Sequence, residues 1–128
     1  MEIDPSHIVA TVLIVEDEAL IRLCTAETFS DAGFRVFEAT NAEEAVGILL
    51  TEASHIDVLF TDVNMPGSRD GMELAHLVRR HWPRIALLVT SGKMTPAAAE
   101  LPLGSRFLQK PYDSLTAIKH VIALACAA

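Results

Sequence analysis

Three short runs rich in Val, Ile and Leu, Thr11–Val15, Ile56–Thr61 and Ile85–Thr90, and a shorter one, Arg106–Gln109, each stop at a residue of distinct chemistry: Glu16 with Asp17, then Asp62, Thr90 and Lys110. None of these runs carries a helical period, so each reads as a buried strand with its polar residue at the carboxyl end. A weaker run, Arg35–Ala39, reads as a further strand. Between the runs lie segments of helical spacing, predicted over Glu18–Ala32, Asn41–Glu52, Asp70 to about His81, Thr95–Glu100 and Asp113–Ala125. Strands alternating with helices imply right-handed crossovers onto a parallel sheet, hence an α/β fold built as a three-layer αβα sandwich. In such an open sheet, ligands bind at the carboxyl edge.

Local signals sharpen these segments. The first helix is predicted to bury Ile21, Cys24, Thr28 and Ala32 and to end at Gly33. Asn41 and Asp70 are N-caps, Ala45, Leu49 and Ala53 face inward from the second helix, and Leu74, Leu77 and Val78 from the third. Pro83 stops the third helix, and Pro102 closes an unusually short fourth. The last helix is predicted to bury Leu115, Ile118, Ile122 and Ala125.

At 128 residues the chain is one domain, long enough to bury roughly two thirds of its unfolded surface. It divides into an N-terminal extension over 1–10 and the α/β domain over 11–126. Met1 and the polar stretch after it read as a natural amino terminus, whereas Ala123–Ala128 also fits the cut end of a longer protein. The net charge of -7 and the scattered basic residues argue against a nucleic-acid surface. The one basic cluster, Arg79, Arg80 and Arg84, reads as a solvated helix end.

Cys24 and Cys126 suggest neither a disulfide framework nor a zinc site, with Cys24 assigned to the core and Cys126 to the tail. No apolar stretch approaches the length of a membrane span and no cationic leader begins the chain, so a cytoplasmic location is expected. The six glycines lack the spacing of a dinucleotide or phosphate-loop fingerprint, and the five histidines lack ligand spacing. The chemistry is left to the acidic cluster.

Glu16, Asp17 and Asp62 come together if the first and third strands are neighbours, and their mutual repulsion is relieved by a hard divalent cation such as Mg²⁺. A carboxylate can attack phosphorus and hold the group as an acyl phosphate, which makes Asp62 the candidate nucleophile. A lysine ammonium and a neutral hydroxyl complete a cradle for the transferring oxygens, and Lys110 and Thr90 supply them. Each residue also has an ordinary explanation: an acidic helix start for Glu16 and Asp17, a turn for Asp62, a β-branched strand end for Thr90, a surface charge for Lys110.

The segments LIVEDE (13–18), LFTDVNMPG (59–67), DGMEL (70–74), LLVTSG (87–92) and FLQKPY (107–112) together resemble the receiver domain of two-component response regulators over about Val12–Ala125. The resemblance implies a flavodoxin-like, doubly wound five-stranded parallel sheet of order 2-1-3-4-5. It implies that Asp62 accepts a phosphoryl group from a phosphohistidine on a sensor histidine kinase or a histidine phosphotransfer protein. Mg²⁺ is then bound by Asp17, Asp62 and the Asn64 backbone carbonyl, with Glu16 acting through water. Thr90 and Lys110 meet phosphoryl oxygens, Lys110–Pro111 is a cis peptide, and Phe107 holds the switch-aromatic position beside Thr90, although it also reads as plain strand core.

Two positions depart from the family pattern: Ser91 stands where small Ala is usual, and Pro102 shortens the fourth helix. The charge pattern by which transcription-factor receivers dimerise is not evident between Lys93 and Lys119, so no DNA binding is expected. The function expected is that of a phosphoacceptor signalling through altered protein binding, with self-catalysed phosphotransfer and dephosphorylation but no turnover of a substrate. The alternatives are a receiver cut from a hybrid histidine kinase or longer regulator, a degenerate receiver that only binds partners, and a Mg²⁺-dependent phosphatase with an aspartyl-phosphate intermediate.

Overall fold

The computed structural model describes residues 8–63, 70–92 and 100–126. Its five strands are β1 (Thr11–Val15), β2 (Arg35–Ala39), β3 (Val58–Asp62), β4 (Ala86–Ser91) and β5 (Arg106–Gln109). They form one parallel sheet in the order β2-β1-β3-β4-β5, as the resemblance implies. The α-helices among the described residues are α1 (Ala19–Asp31), α2 (Ala42–Glu52), α3 (Gly71–His81) and α4 (Ser114–Cys126), with a 3-10 turn over Ala53–His55 after α2. The short fourth helix expected at Thr95–Glu100 lies, but for Glu100, outside the described residues, as does Asn64.

Because successive strand side chains point to opposite faces, β1 feeds two cores at once. Leu13 and Val15 pack with Leu49, Leu59, Leu74, Val78, Leu87 and Val89 under α2 and α3. Val12 and Ile14 pack with Phe29, Phe34, Phe60, Leu88, Ile118 and Val121 under α1 and α4. Each fully buried Leu, Ile or Phe contributes about 1.5–3 kcal/mol, so the inner strands anchor both layers and hold their carboxyl ends at one edge.

The predicted punctuation is present. Gly33, at φ 96°, follows α1 in the left-handed region, and Phe34 N–H donates to the Phe29 carbonyl. Asn41 Oδ1 accepts from Glu44 N–H and Asp70 Oδ1 from Glu73 N–H, both at 2.8 Å. Arg84 donates to the carbonyls of Ala53 and Ile56, and Arg79 to that of Pro83, so the basic cluster ties loops locally.

Two helical faces differ from expectation. α1 buries Thr25, Ala26 and Phe29, and Cys24 is exposed, not core. The α1 sequence is apolar on several sides, with Leu20 and Leu23 exposed, so the sheet and not the pattern decides which stripe is covered. In α4 the buried residues are Ala117, Ile118 and Val121, while Leu115 and Ile122 are exposed. Cys126 ends α4 and is exposed.

Candidate functional site

The parallel register sets the strand ends side by side. Asp62 and Thr90 are register partners on β3 and β4, and Thr90 is opposite Leu108 on β5. Glu16 follows β1, where its N–H donates to the Ala39 carbonyl, and Lys110 follows β5, where its N–H donates to the Ser91 carbonyl. Glu16, Asp62 and Thr90 are buried, and Asp17 is exposed. Carboxylate oxygens of Glu16, Asp17 and Asp62 all lie within 4.8 Å of one another, so the cluster expected from sequence is assembled.

Lys110 Nζ reaches into this cluster, donating to Glu16 Oε1 at 2.5 Å and Asp62 Oδ2 at 2.9 Å. The Lys110–Pro111 peptide is cis. The second oxygen of Glu16 accepts from Glu18 N–H at 3.1 Å, which fixes the carboxylate against the start of α1. Burial pushes the Glu16 carboxyl above its ordinary range and the nearby Asp62 charge adds to this, against the pull of the Lys110 hydrogen bond. For Lys110, burial opposes the charge, but the two carboxylates outweigh it and hold the ammonium well above its ordinary value.

Thr90 Oγ1 is buried with no hydrogen-bond partner among the described residues. A buried hydroxyl left unpaired costs about 1–3 kcal/mol, so its position beside Asp62 suits an acceptor oxygen that arrives with a ligand. Phe107 is the register partner of Val89 and packs half-buried against the α2 and α3 core.

Three further residues shape the site without having been singled out for it from sequence. Arg22 donates to the Glu16 carbonyl at 3.0 Å and lies 3.4 Å from Glu38 Oε1, which pins α1 to the ends of β1 and β2. Gly71 opens α3 hard against β3: its N–H donates to the Val63 carbonyl at 2.8 Å, and a Cβ there would lie 1.6 Å from the Asp62 carbonyl oxygen. Tyr112, in the FLQKPY segment, exchanges a hydrogen bond of 3.1 Å with Thr25 of α1, and its burial pushes the phenol up.

A doubly wound sheet thus carries three carboxylates that could hold a cation, a lysine and a buried hydroxyl together at its carboxyl edge, the arrangement of an α/β receiver-type domain. The chain belongs to the response regulator receiver domain family, whose model matches residues 12–122. It is 35% identical over 107 residues to the sensor kinase CckA of Brucella abortus, covering 81% of this chain and 11% of that kinase. It is 32% identical over 108 residues to the response regulator FleR of Pseudomonas aeruginosa, covering 82% of this chain and 22% of FleR. The chain thus spans a minor part of both relatives.

A receiver protein from Sinorhizobium medicae superposes with a TM-score of 0.82 at 30% identity, covering 92% of this chain and 95% of that one. Neither the family nor the geometry favours the phosphatase alternative. No helix among the described residues is long and apolar enough to cross a membrane.

Because a metal binds carboxylates in their deprotonated form, the raised Glu16 carboxyl sets a pH dependence. As pH falls from neutral, Glu16 takes up its proton before a carboxyl at the ordinary value of 4.5 would. The cluster then loses negative charge, and Mg²⁺ affinity is expected to fall from that higher pH onward. Titrating Mg²⁺ across the acidic range tests this, and Glu16→Gln is expected to flatten the upper part of the profile.

Proposed function

We propose that Asp62 is the phosphoacceptor of this receiver. The observation that carries the proposal is Lys110 Nζ bonded to both Glu16 and Asp62 at a strand edge where Thr90 Oγ1 is unpaired. An Asp62 carboxylate oxygen attacks the phosphorus of a phosphohistidine. The P–N bond breaks with its electron pair going to the imidazole nitrogen, and an aspartyl acyl phosphate forms. Lys110 then turns from the carboxylate to one phosphoryl oxygen, and Thr90 Oγ–H donates to another.

Asp17 and Asp62 would hold Mg²⁺ directly, with Glu16 acting through water and the Asn64 carbonyl as the remaining protein ligand. When bound, the cation supplies neutralisation of negative charge at the acceptor. The donor is a sensor histidine kinase or a histidine phosphotransfer protein in the cytoplasm, and the output is altered protein binding, with Phe107 following Thr90 as the switch aromatic. The receiver occupies 11–126, preceded by an extension over 1–10, and catalyses only its own phosphotransfer and dephosphorylation.

Incubation with acetyl phosphate and Mg²⁺ tests the proposal. One equivalent of base-labile phosphate per chain is expected, and none in Asp62→Ala. Label that persists in Asp62→Ala, or none in the unaltered protein, would sink it.

A further inference from the structure

Lys110 donates to Asp62, yet the segment that carries it is open on one side. A cleft of about 430 Å³ is lined there by Leu20, Ile21, Cys24, Thr25, Lys110 and Tyr112 among others. Packing therefore cannot hold Lys110–Tyr112 from that direction. What closes the gap is one hydrogen bond across 87 residues of sequence, Thr25 Oγ1 to Tyr112 OH at 3.1 Å.

Both partners are themselves fixed. Thr25 is buried on α1, one turn from Phe29. The Tyr112 ring lies against Phe60 of β3 at 5.5 Å between centroids, and Phe60 in turn meets Phe29 at 6.2 Å. Phe60 precedes Asp62 by two residues, and Tyr112 follows Lys110 by two. Arg22, on the same helix, holds the Glu16 carbonyl. The elements that carry the acid cluster and the lysine are thus joined through α1.

We propose that Tyr112 is a positioning residue for phosphotransfer: its hydroxyl, held by Thr25, sets the place of Lys110 over the Asp62 carboxylate. The inference rests on Asp62 being the phosphoacceptor. Packing against Phe60 places the Tyr112 ring, and the hydroxyl bond to Thr25 fixes its outer end beside the cleft. A displacement of the ammonium weakens its contact with charge developing on the phosphoryl oxygens, whereas the carboxylates keep their places at the ends of β1 and β3 and lose only a competitor for the metal.

Tyr112→Phe and Thr25→Val each remove one hydroxyl and keep the shape of the side chain. With acetyl phosphate as the donor, each is expected to lower the phosphorylation rate at saturating donor about three- to tenfold, with Mg²⁺ affinity held or slightly raised. The double variant is expected to match the singles, because both delete the same bond. Unchanged rates with only a lowered melting temperature overturn the inference, as do additive losses in the double variant. A parallel fall in Mg²⁺ affinity also overturns it, because the hydroxyls would then act on the carboxylates. Label on the unaltered protein keeps failure here separate from failure of the phosphoacceptor assignment itself.

Discussion

Lys110→Met is expected to slow phosphorylation by a small phosphodonor about 10²- to 10³-fold, the usual cost of removing one preorganised charge donor at a reacting centre. Met keeps the apolar stem and removes the ammonium. The stem lies against Gly92, where a Cβ would be 3.4 Å from Lys110 Cβ, so its packing is worth preserving in the test. Without the ammonium, Glu16 and Asp62 lose a positive charge that both accept from, and Mg²⁺ affinity is expected to hold or rise, since the metal no longer competes with a lysine already bonded to two carboxylates of the cluster. The variant should be less stable without metal and regain stability as Mg²⁺ is added. Label incorporation and Mg²⁺ titration read the two effects separately. A near-normal rate with weakened Mg²⁺ binding would assign Lys110 to the carboxylate cluster and remove it from the phosphoryl cradle.

Gly71→Ala is expected to cost about 3 kcal/mol or more of folding stability, at or beyond the upper end of ordinary overpacking. The added Cβ meets Asp62 O at 1.6 Å, Asp62 C at 2.6 Å and Val63 Cα at 2.9 Å, all of them backbone atoms. No side-chain rotation relieves such a contact, so either α3 must withdraw or the end of β3 must bend. Both routes move Asp62, and the Mg²⁺ affinity of whatever folds is expected to fall as well. Gly47→Ala in α2 gives the opposite sign in the same protein. Nothing lies within 4 Å of its added Cβ, and replacing an interior helical glycine by alanine stabilises by about 0.5–1 kcal/mol. Urea unfolding of the two variants measures both values. Equal effects would contradict the close approach of α3 to β3.

The contrast between these glycines shows what a sequence can and cannot carry. Strand ends were legible because a parallel sheet buried on both faces demands unbroken apolar runs, and the residues that break them, Glu16, Asp62, Thr90 and Lys110, are those at the open edge. Caps were legible because Asn41 and Asp70 act within three residues. Helix faces were less so. Leu20, Leu23, Leu115 and Ile122 are exposed although each could have joined an apolar stripe, while Ala26, Ala117 and Val121 are covered instead. Tertiary contact selects among stripes when a helix is apolar on more than one side.

The need for glycine at 71 was invisible for a related reason. Asp70 and Gly71 read as a turn and cap, and only the stacking of α3 on the end of β3 shows that any Cβ would strike Asp62. The Thr25 to Tyr112 bond lay further out of reach, since 87 residues separate its partners and neither hydroxyl breaks a local pattern.

In the mechanism we propose, Asp62, and no other carboxylate of the cluster, carries the phosphoryl group. Borohydride reduces an acyl phosphate to the alcohol, which converts a phosphorylated aspartate to homoserine and leaves free carboxylates unchanged. After treatment with acetyl phosphate and Mg²⁺, reduction and peptide mapping by mass spectrometry are expected to find homoserine at position 62 alone, and none without donor or metal. Homoserine at position 17, or none anywhere in protein that has taken up label, would contradict the account.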